Sequence, residues 1–385
     1  MKKRMISLLI VFSLLVSAMI PMAGAIAIDQ DPPAVSLDDE LLSELYDQIL
    51  FMSSAQTLSM ADSYYLGDPI AAYEYIDDAL VPVSYELYPV FSNGEIVYLA
   101  TKTVDTDGSA HIQLSQPFTL LGILNAYADT ASAVALLYDA EVCYFIADND
   151  VVTVSRHEAL ENRSSFASEE SVLASAYQLN SLHGISSSNT VIVATDHADT
   201  LANARASASL NVDYVSQLIS GYSSYICWAA SVACIGNFVT GGSYTARQIA
   251  EYRYYLEHGY ESGAISDWNI RASFSVAKQV MSSVYNITMN YYSTTVSNRD
   301  TRIYNDIALN HPVFSIWDWS VKKSDGTVVT GSHACVIRGI NTGSYVLVMD
   351  PEFGFAVAYL NANNTYAYTS SYSSTYLPLS SFGAA

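Results

Sequence analysis

Three residues have types and positions that together suit covalent catalysis: Cys227, His333 and Asp350. Cys227 lies at the centre of QLISGYSSYICWAASVACIGNFVTG, residues 217–241. Up to Ile226 this stretch is rich in Ser, Gly and Tyr and reads as a loop. From Cys227 it is small and apolar with helical spacing, until Gly241-Gly242 stops it. Cys227 is therefore expected in the first turn of a buried helix. Unpaired backbone N–H groups and the positive end of the helix dipole favour an anion there, and the thiolate, not the thiol, is the nucleophile. Such a nucleophile needs a base and something to orient the base. His333 opens the apolar run HACVI, and Asp350 ends the next one, YVLVMD, before Pro351. Two adjacent strands bearing His and Asp, facing a helix that begins with Cys, have the makings of a triad.

At these residues the chain resembles the papain-like cysteine peptidases, especially their bacterial secreted (staphopain-like) branch. The matching pieces are Cys227-Trp228-Ala229-Ala230-Ser231, then Ser332-His333-Ala334, then Asp350-Pro351 and Gly354, so the resemblance runs from about Asn211 to the C-terminus. It implies an α+β catalytic domain in which the Cys-bearing helix packs on an antiparallel sheet carrying His and Asp. It also implies hydrolysis of protein or peptide substrates through a thioester acyl-enzyme. In that family a Gln shortly before the Cys helps build the oxyanion hole, and Gln217 is the candidate. Gln217 stands ten positions before Cys227, a wider separation than the family usually has. The loop 218–225 would have to bulge outward to bring its amide back. The family's third member is often Asn and sometimes Asp, so Asp350 is an accepted variant.

Each of these residues has a competitor or a plainer explanation. A free Cys on an apolar helix usually packs as a small hydrophobe; Trp228, the small residues beyond it and the ordered His and Asp favour catalysis for Cys227. His311 precedes Pro312 and a strand, where a turn role suffices, and Asp318 lies mid-strand in Trp317-Asp318-Trp319. His111, His157, His183, His197 and His258 fall in polar loops, strand edges or a helix end and read as structural. The remaining cysteines, Cys143, Cys234 and Cys335, are too few and dispersed for a disulfide framework. Cys234 is seven positions from Cys227, about 10 Å along a helix and beyond disulfide reach. Cys335 shares a strand face with His333, and a Cys227–Cys335 bond would act as a redox lock. No HExxH, paired CxxC, GxSxG or phosphate-binding glycine loop is present, so no metal and no cofactor is expected.

The elements that must position these residues occupy only the second half. Residues 1–25 have a basic start, an apolar run and Ala23-Gly24-Ala25, the pattern of a secretory signal peptide. Between 29 and 205 there are 27 acidic and 4 basic residues; between 206 and 385 there are 11 and 9. That asymmetry suggests segments with different jobs and makes nucleic acid or an anionic membrane an unsuitable partner. Residues 36–55 read as a helix, 86–91 and 95–104 as a hairpin turned at Asn93-Gly94, 110–116 as a further strand, and 118–138 as one or two helices. Val142–Ile146 and Val151–Ser155 form a second hairpin. By the resemblance, residues 29–205 are a smaller α+β pro-region that inhibits the enzyme until removed, with processing near 200–209, and 206–385 are the peptidase domain. The rival for 29–205 is a permanent binding domain. The chain as a whole thus reads as a secreted cysteine endopeptidase made as a zymogen. The alternatives are a transglutaminase-like acyl transferase and a non-catalytic surface or binding protein presenting its tyrosine-rich segments.

Overall fold

The computed structural model describes residues 37–55, 63–76, 79–104, 108–139, 142–148, 150–156, 182–192, 206–219, 224–293, 298–322, 328–361, 363–369 and 376–384. The expected signal peptide and residues 157–181 and 193–205 (with His157, His197 and the 200–205 part of the expected processing region) lie outside them. The first half contains α1 (Asp39–Ala55), β1 (Tyr64–Gly67), β2 (Ala71–Ile76), β3 (Ala79–Pro82), β4 (Glu86–Ser92), β5 (Glu95–Val104), β6 (Ala110–Pro117), α2 (Phe118–Tyr127), β7 (Val134–Asp139), β8 (Val142–Ala147), β9 (Asp150–Arg156) and β10 (Ser187–Ile192). The second half contains β11 (Ser207–Ser209), α3 (Cys227–Thr240), α4 (Ala246–His258), the single turn α5 (Ile265–Trp268), α6 (Phe274–Tyr285), β12 (Asn290–Ser293), α7 (Arg299–Ala308), β13 (Val313–Lys322), β14 (Val328–Asn341), β15 (Tyr345–Asp350), β16 (Gly354–Leu360), β17 (Tyr366–Thr369) and β18 (Tyr376–Ala384). The architecture is α+β, as expected.

One thirteen-stranded sheet runs β10-β1-β4-β5-β6-β16-β15-β14-β13-β18-β12, with β11 added to β14 and β17 joining β16 to β18. Because β17 pairs both neighbours, β13 to β18 close into a six-stranded antiparallel ring. A second sheet, β3-β2-β7-β8-β9, is antiparallel except between β2 and β7. It covers one face of β4 and β5, with α2 between: Leu120 and Leu124 pack with Leu87, Leu99, Leu136 and Phe145. The other face of β4–β6 is covered by α1, whose Leu45, Ile49 and Met52 are fully buried.

Local chemistry accounts for several of these elements. Asn93 and Gly94 both take positive φ, so the β4–β5 connection is a two-residue turn whose twist suits the hairpin. Helix α4 starts on a Thr245–Gln248 capping box and stops at Gly259 in the left-handed region. Helix α3 ends the same way at Gly241, and its residues 228–236 are all buried. At Gly236 a Cβ would lie 2.2 Å from the Tyr285 ring, so glycine there lets α6 approach α3 closely.

Two expectations are corrected. The helical stretch 118–138 is helix only to Tyr127; Val134–Asp139 is β7, a short run buried at five of six positions between β2 and β8, which suits a central strand. His333 does not open its strand, because β14 starts at Val328 and pairs along the full length of β13. Ser207–Ser209, inside the expected processing region, is paired with Asn341–Gly339 of β14. The sheet also crosses the boundary drawn at 205/206: β6 pairs with β16, and one hydrophobic core runs from Leu37 to Phe382.

Candidate active site

Cys227 is the first residue of α3, preceded by Ile226, and no side chain caps the helix. First-turn N–H groups have no acceptor inside their own helix, so they face whatever approaches the Cys227 sulfur. The helix rests on β14, and Trp228 fixes its start by donating Nε1–H to the Ile270 carbonyl at 2.9 Å. The Tyr225 N–H, just before, bonds the Asn269 Oδ1 at 2.9 Å. Cys227 is partly exposed, while Cys143, Cys234 and Cys335 are buried and none of the four is disulfide-bonded.

Strands β14 and β15 bring the other two residues together. Their pairing ends at Val336↔Met349, so one step further Cys335 stands opposite Asp350, and His333 projects from the same face two residues on. His333 Nε2 lies 2.7 Å from Asp350 Oδ1, with Asp350 fully buried and His333 nearly so. Using Nε2 for Asp350 leaves Nδ1 as the nitrogen free to serve a nucleophile. The His333 side chain also contacts the Cys227 thiol. Burial alone would push the imidazolium down; the Asp350 charge, Cys335 and the bonds to Asp350 and Cys227 outweigh it and hold His333 well above its ordinary value. The arrangement brings a thiol, an imidazole and a carboxylate together, with the imidazole favoured in its protonated form.

Asp350 is itself held. Its Oδ1 accepts the Glu352 N–H at 2.9 Å, and its Oδ2 accepts the Tyr368 hydroxyl at 2.6 Å. Tyr368 is buried on the Trp317 ring, with centroids 4.9 Å apart, and its hydroxyl also lies 3.3 Å from the Cys335 sulfur. No sequence reading singled out Tyr368; it is one of thirty tyrosines and its spacing to Asp350 carries no signal. His333, Cys335 and Asp350 offer ligand atoms within 4.8 Å of one another, so their geometry alone could hold a metal. In the protein as it stands, burial, then the Asp350 charge, push the Cys335 thiol up to about 12, and Tyr368 bridges Cys335 to the His333–Asp350 pair. The set is better described as a hydrogen-bonded cluster.

Gln217 is buried and lies against Ser224, three residues before α3; residues 220–223 of the loop expected to bulge lie outside the described residues. The Ser224 hydroxyl donates to the Gln217 carbonyl at 2.5 Å, and Gln217 Nε2 donates to the Ser224 carbonyl at 3.1 Å. The same Nε2 lies 3.3 Å from Glu352 Oε2, and the Gln217 N–H donates to the Pro351 carbonyl at 2.9 Å. Gln217, the start of α3 and the turn 351–353 after Asp350 are thus tied into one corner.

The competing residues lie elsewhere. The His311 N–H closes the end of α7 on the Asp306 carbonyl, and exposed Asp318 accepts the Ser332 hydroxyl. His258 stacks on Tyr254 and His111 on Tyr359, while His183 is exposed. Burial pushes the Cys143 and Cys234 thiols up, which makes both poor nucleophiles. Among the described residues, no helix is long and apolar enough to cross a membrane. Compared with known proteins, the chain matches no family model and no curated relative.

Proposed function

We propose that this protein is a secreted cysteine endopeptidase of papain-like type. The observation that carries the proposal is the buried His333–Asp350 pair at 2.7 Å with its imidazole against Cys227 at a helix start. In the reaction His333 takes the thiol proton, giving a thiolate–imidazolium pair, and Asp350 and Tyr368 keep the ring oriented. The thiolate attacks the peptide carbonyl and forms the C–S bond. The oxyanion is met by the Cys227 N–H and by the Gln217 amide once Nε2 turns from Glu352 to the substrate. Imidazolium then protonates the departing amine as the C–N bond breaks. Water, deprotonated by His333, releases the acid from the thioester.

The closed ring of β13–β18, with the Cys-bearing helix packed on the strand that carries His333, supports the papain-like arrangement. The test is hydrolysis of an unfolded protein substrate by the wild type, Cys227→Ala and His333→Ala. Both substitutions should remove turnover by at least about a thousandfold, as loss of a nucleophile or its base does, and leave the circular dichroism unchanged. Cleavage that survives Cys227→Ala would refute the proposal. Amine incorporation with ammonia release, in place of new peptide termini, would instead assign the site to acyl transfer.

A further inference from the structure

The acidic first half and the second half meet along a seam built like a protein interior. Strand β6 pairs with the first residues of β16, Gly354↔Pro117, Phe355↔Gln116 and Ala356↔Ser115. Gly354 has φ +124°, and a Cβ there would lie 2.2 Å from the Gln116 carbonyl oxygen, so the approach of β6 demands glycine. The Gln113 side chain crosses the seam and bonds both backbone groups of Thr369, at 3.0 and 2.7 Å. His111 stacks on Tyr359 with centroids 4.6 Å apart. Helix α1 lays Phe51 against Tyr345 and Met52 against Arg338, whose guanidinium is fully buried and lies 4.2 Å from the Phe355 ring.

Taking the first half away would leave residues 354–356 of the β16 edge unpaired and uncover a continuous apolar core. It would also loosen the corner of the site. The Phe118 N–H, at the end of β6, bonds the Phe353 carbonyl at 3.1 Å, and the Phe118 ring packs on Tyr214 and Phe355. The turn 351–353 supplies the Glu352 N–H to Asp350 and the Pro351 carbonyl to the Gln217 N–H and the Tyr214 hydroxyl. Asp350 pairs directly with Gly354, the residue that β6 holds on its other side.

We infer that the acidic half is a permanent part of the working protein, which pins the turn 351–353 and through it Asp350 and Gln217, and does not leave as a released inhibitor. The pinning role rests on the catalytic reading above; the retention does not. A cut in the connecting segment would then give two chains that stay together, and the mature particle would keep its strongly acidic half.

Two measurements test this on the full chain. In calorimetry of Cys227→Ala, which cannot cut itself by that thiol, the inference expects one transition with equal calorimetric and van't Hoff enthalpies. Adding Gln113→Ala, which removes two bonds across the seam and touches no residue of the triad, should lower that single transition by several degrees. Two separated transitions, one for each half, would overturn it. Native mass spectrometry of the wild type from culture medium should find residues 37–192 in the same particle as Cys227, cut or uncut. A folded particle that lacks the first half would overturn the inference. If the halves stay together but no peptide is cleaved and Cys227 labels no faster than an unfolded cysteine, the peptidase proposal falls and retention stands.

Discussion

Glu44 on α1 ties the docking of the acidic half to pH in a way that can be worked out in advance. Burial, opposed by a bond from Gln48 and helped by Glu40 and Asp47, raises its carboxyl from 4.5 to about 7. The folded value lies above the unfolded one, so the protonated form's contribution is fully present below about pH 4.5 and is lost as pH rises through about 7. A shift of that size corresponds to about 3 kcal/mol of stability at roughly 1.4 kcal/mol per unit. Asp47 is raised by burial too and adds in the same direction. Burial chiefly, and then the nearby Asp47 and Glu44 carboxylates, raise the Tyr345 hydroxyl on β15, so the loss should be felt where α1 meets the second half. The perturbation is Glu44→Gln, whose amide oxygen can still accept the Gln48 N–H now found at 3.2 Å. The assay is urea unfolding of the Cys227→Ala chain, with and without Glu44→Gln, at pH 4.5 and 7.5. The Gln variant should be less pH-sensitive than its parent by about 3 kcal/mol. Equal pH slopes for the two chains would refute the reasoning.

Other perturbations follow from the same geometry. Asp350→Asn keeps an oxygen that can accept the His333 Nε2–H but removes the charge that holds His333 up; the alkaline limb of the activity profile should move to lower pH, and turnover should fall much less than in His333→Ala. An unshifted limb would separate Asp350 from the base. Tyr368→Phe takes one donor from a buried carboxylate and should cost about 1–3 kcal/mol in stability. It should lower kcat more than it changes KM, since Tyr368 reaches Asp350 and not the substrate; a pure KM effect would contradict that. Gly236→Ala should destabilise by about 1–3 kcal/mol through overpacking against Tyr285, read as a lower urea midpoint.

The local structure around the candidate site was legible in the sequence where short-range rules govern it. A cysteine at the change from a Ser/Gly/Tyr loop to small apolar residues must begin a helix, and Gly241 must end it. Thr245 and Gly259 marked α4, and Asn93-Gly94 marked the β4–β5 turn, because each has a conformation few other residues tolerate. Pairings between distant strands left no such mark. The charge asymmetry suggested a division near 205, but surface charge says little about the core, and β6 meets β16 across more than two hundred residues. Tyr368 was hidden for the same reason: its bond to Asp350 exists only once β17 closes the ring. Val134–Asp139 misled because a six-residue apolar run has no period long enough to separate strand from helix.

The central claim is that Cys227 is a nucleophile served by His333. Its most direct test is the rate of iodoacetamide alkylation of each cysteine, mapped by peptide mass spectrometry between pH 5 and 9, in the folded wild type and in His333→Ala. Cys227 should label far ahead of Cys143, Cys234 and Cys335, and His333→Ala should slow it by about tenfold or more near pH 6, where an unassisted thiol is mostly protonated. A Cys227 rate no greater than that of an unfolded cysteine, or one indifferent to His333→Ala, would contradict it.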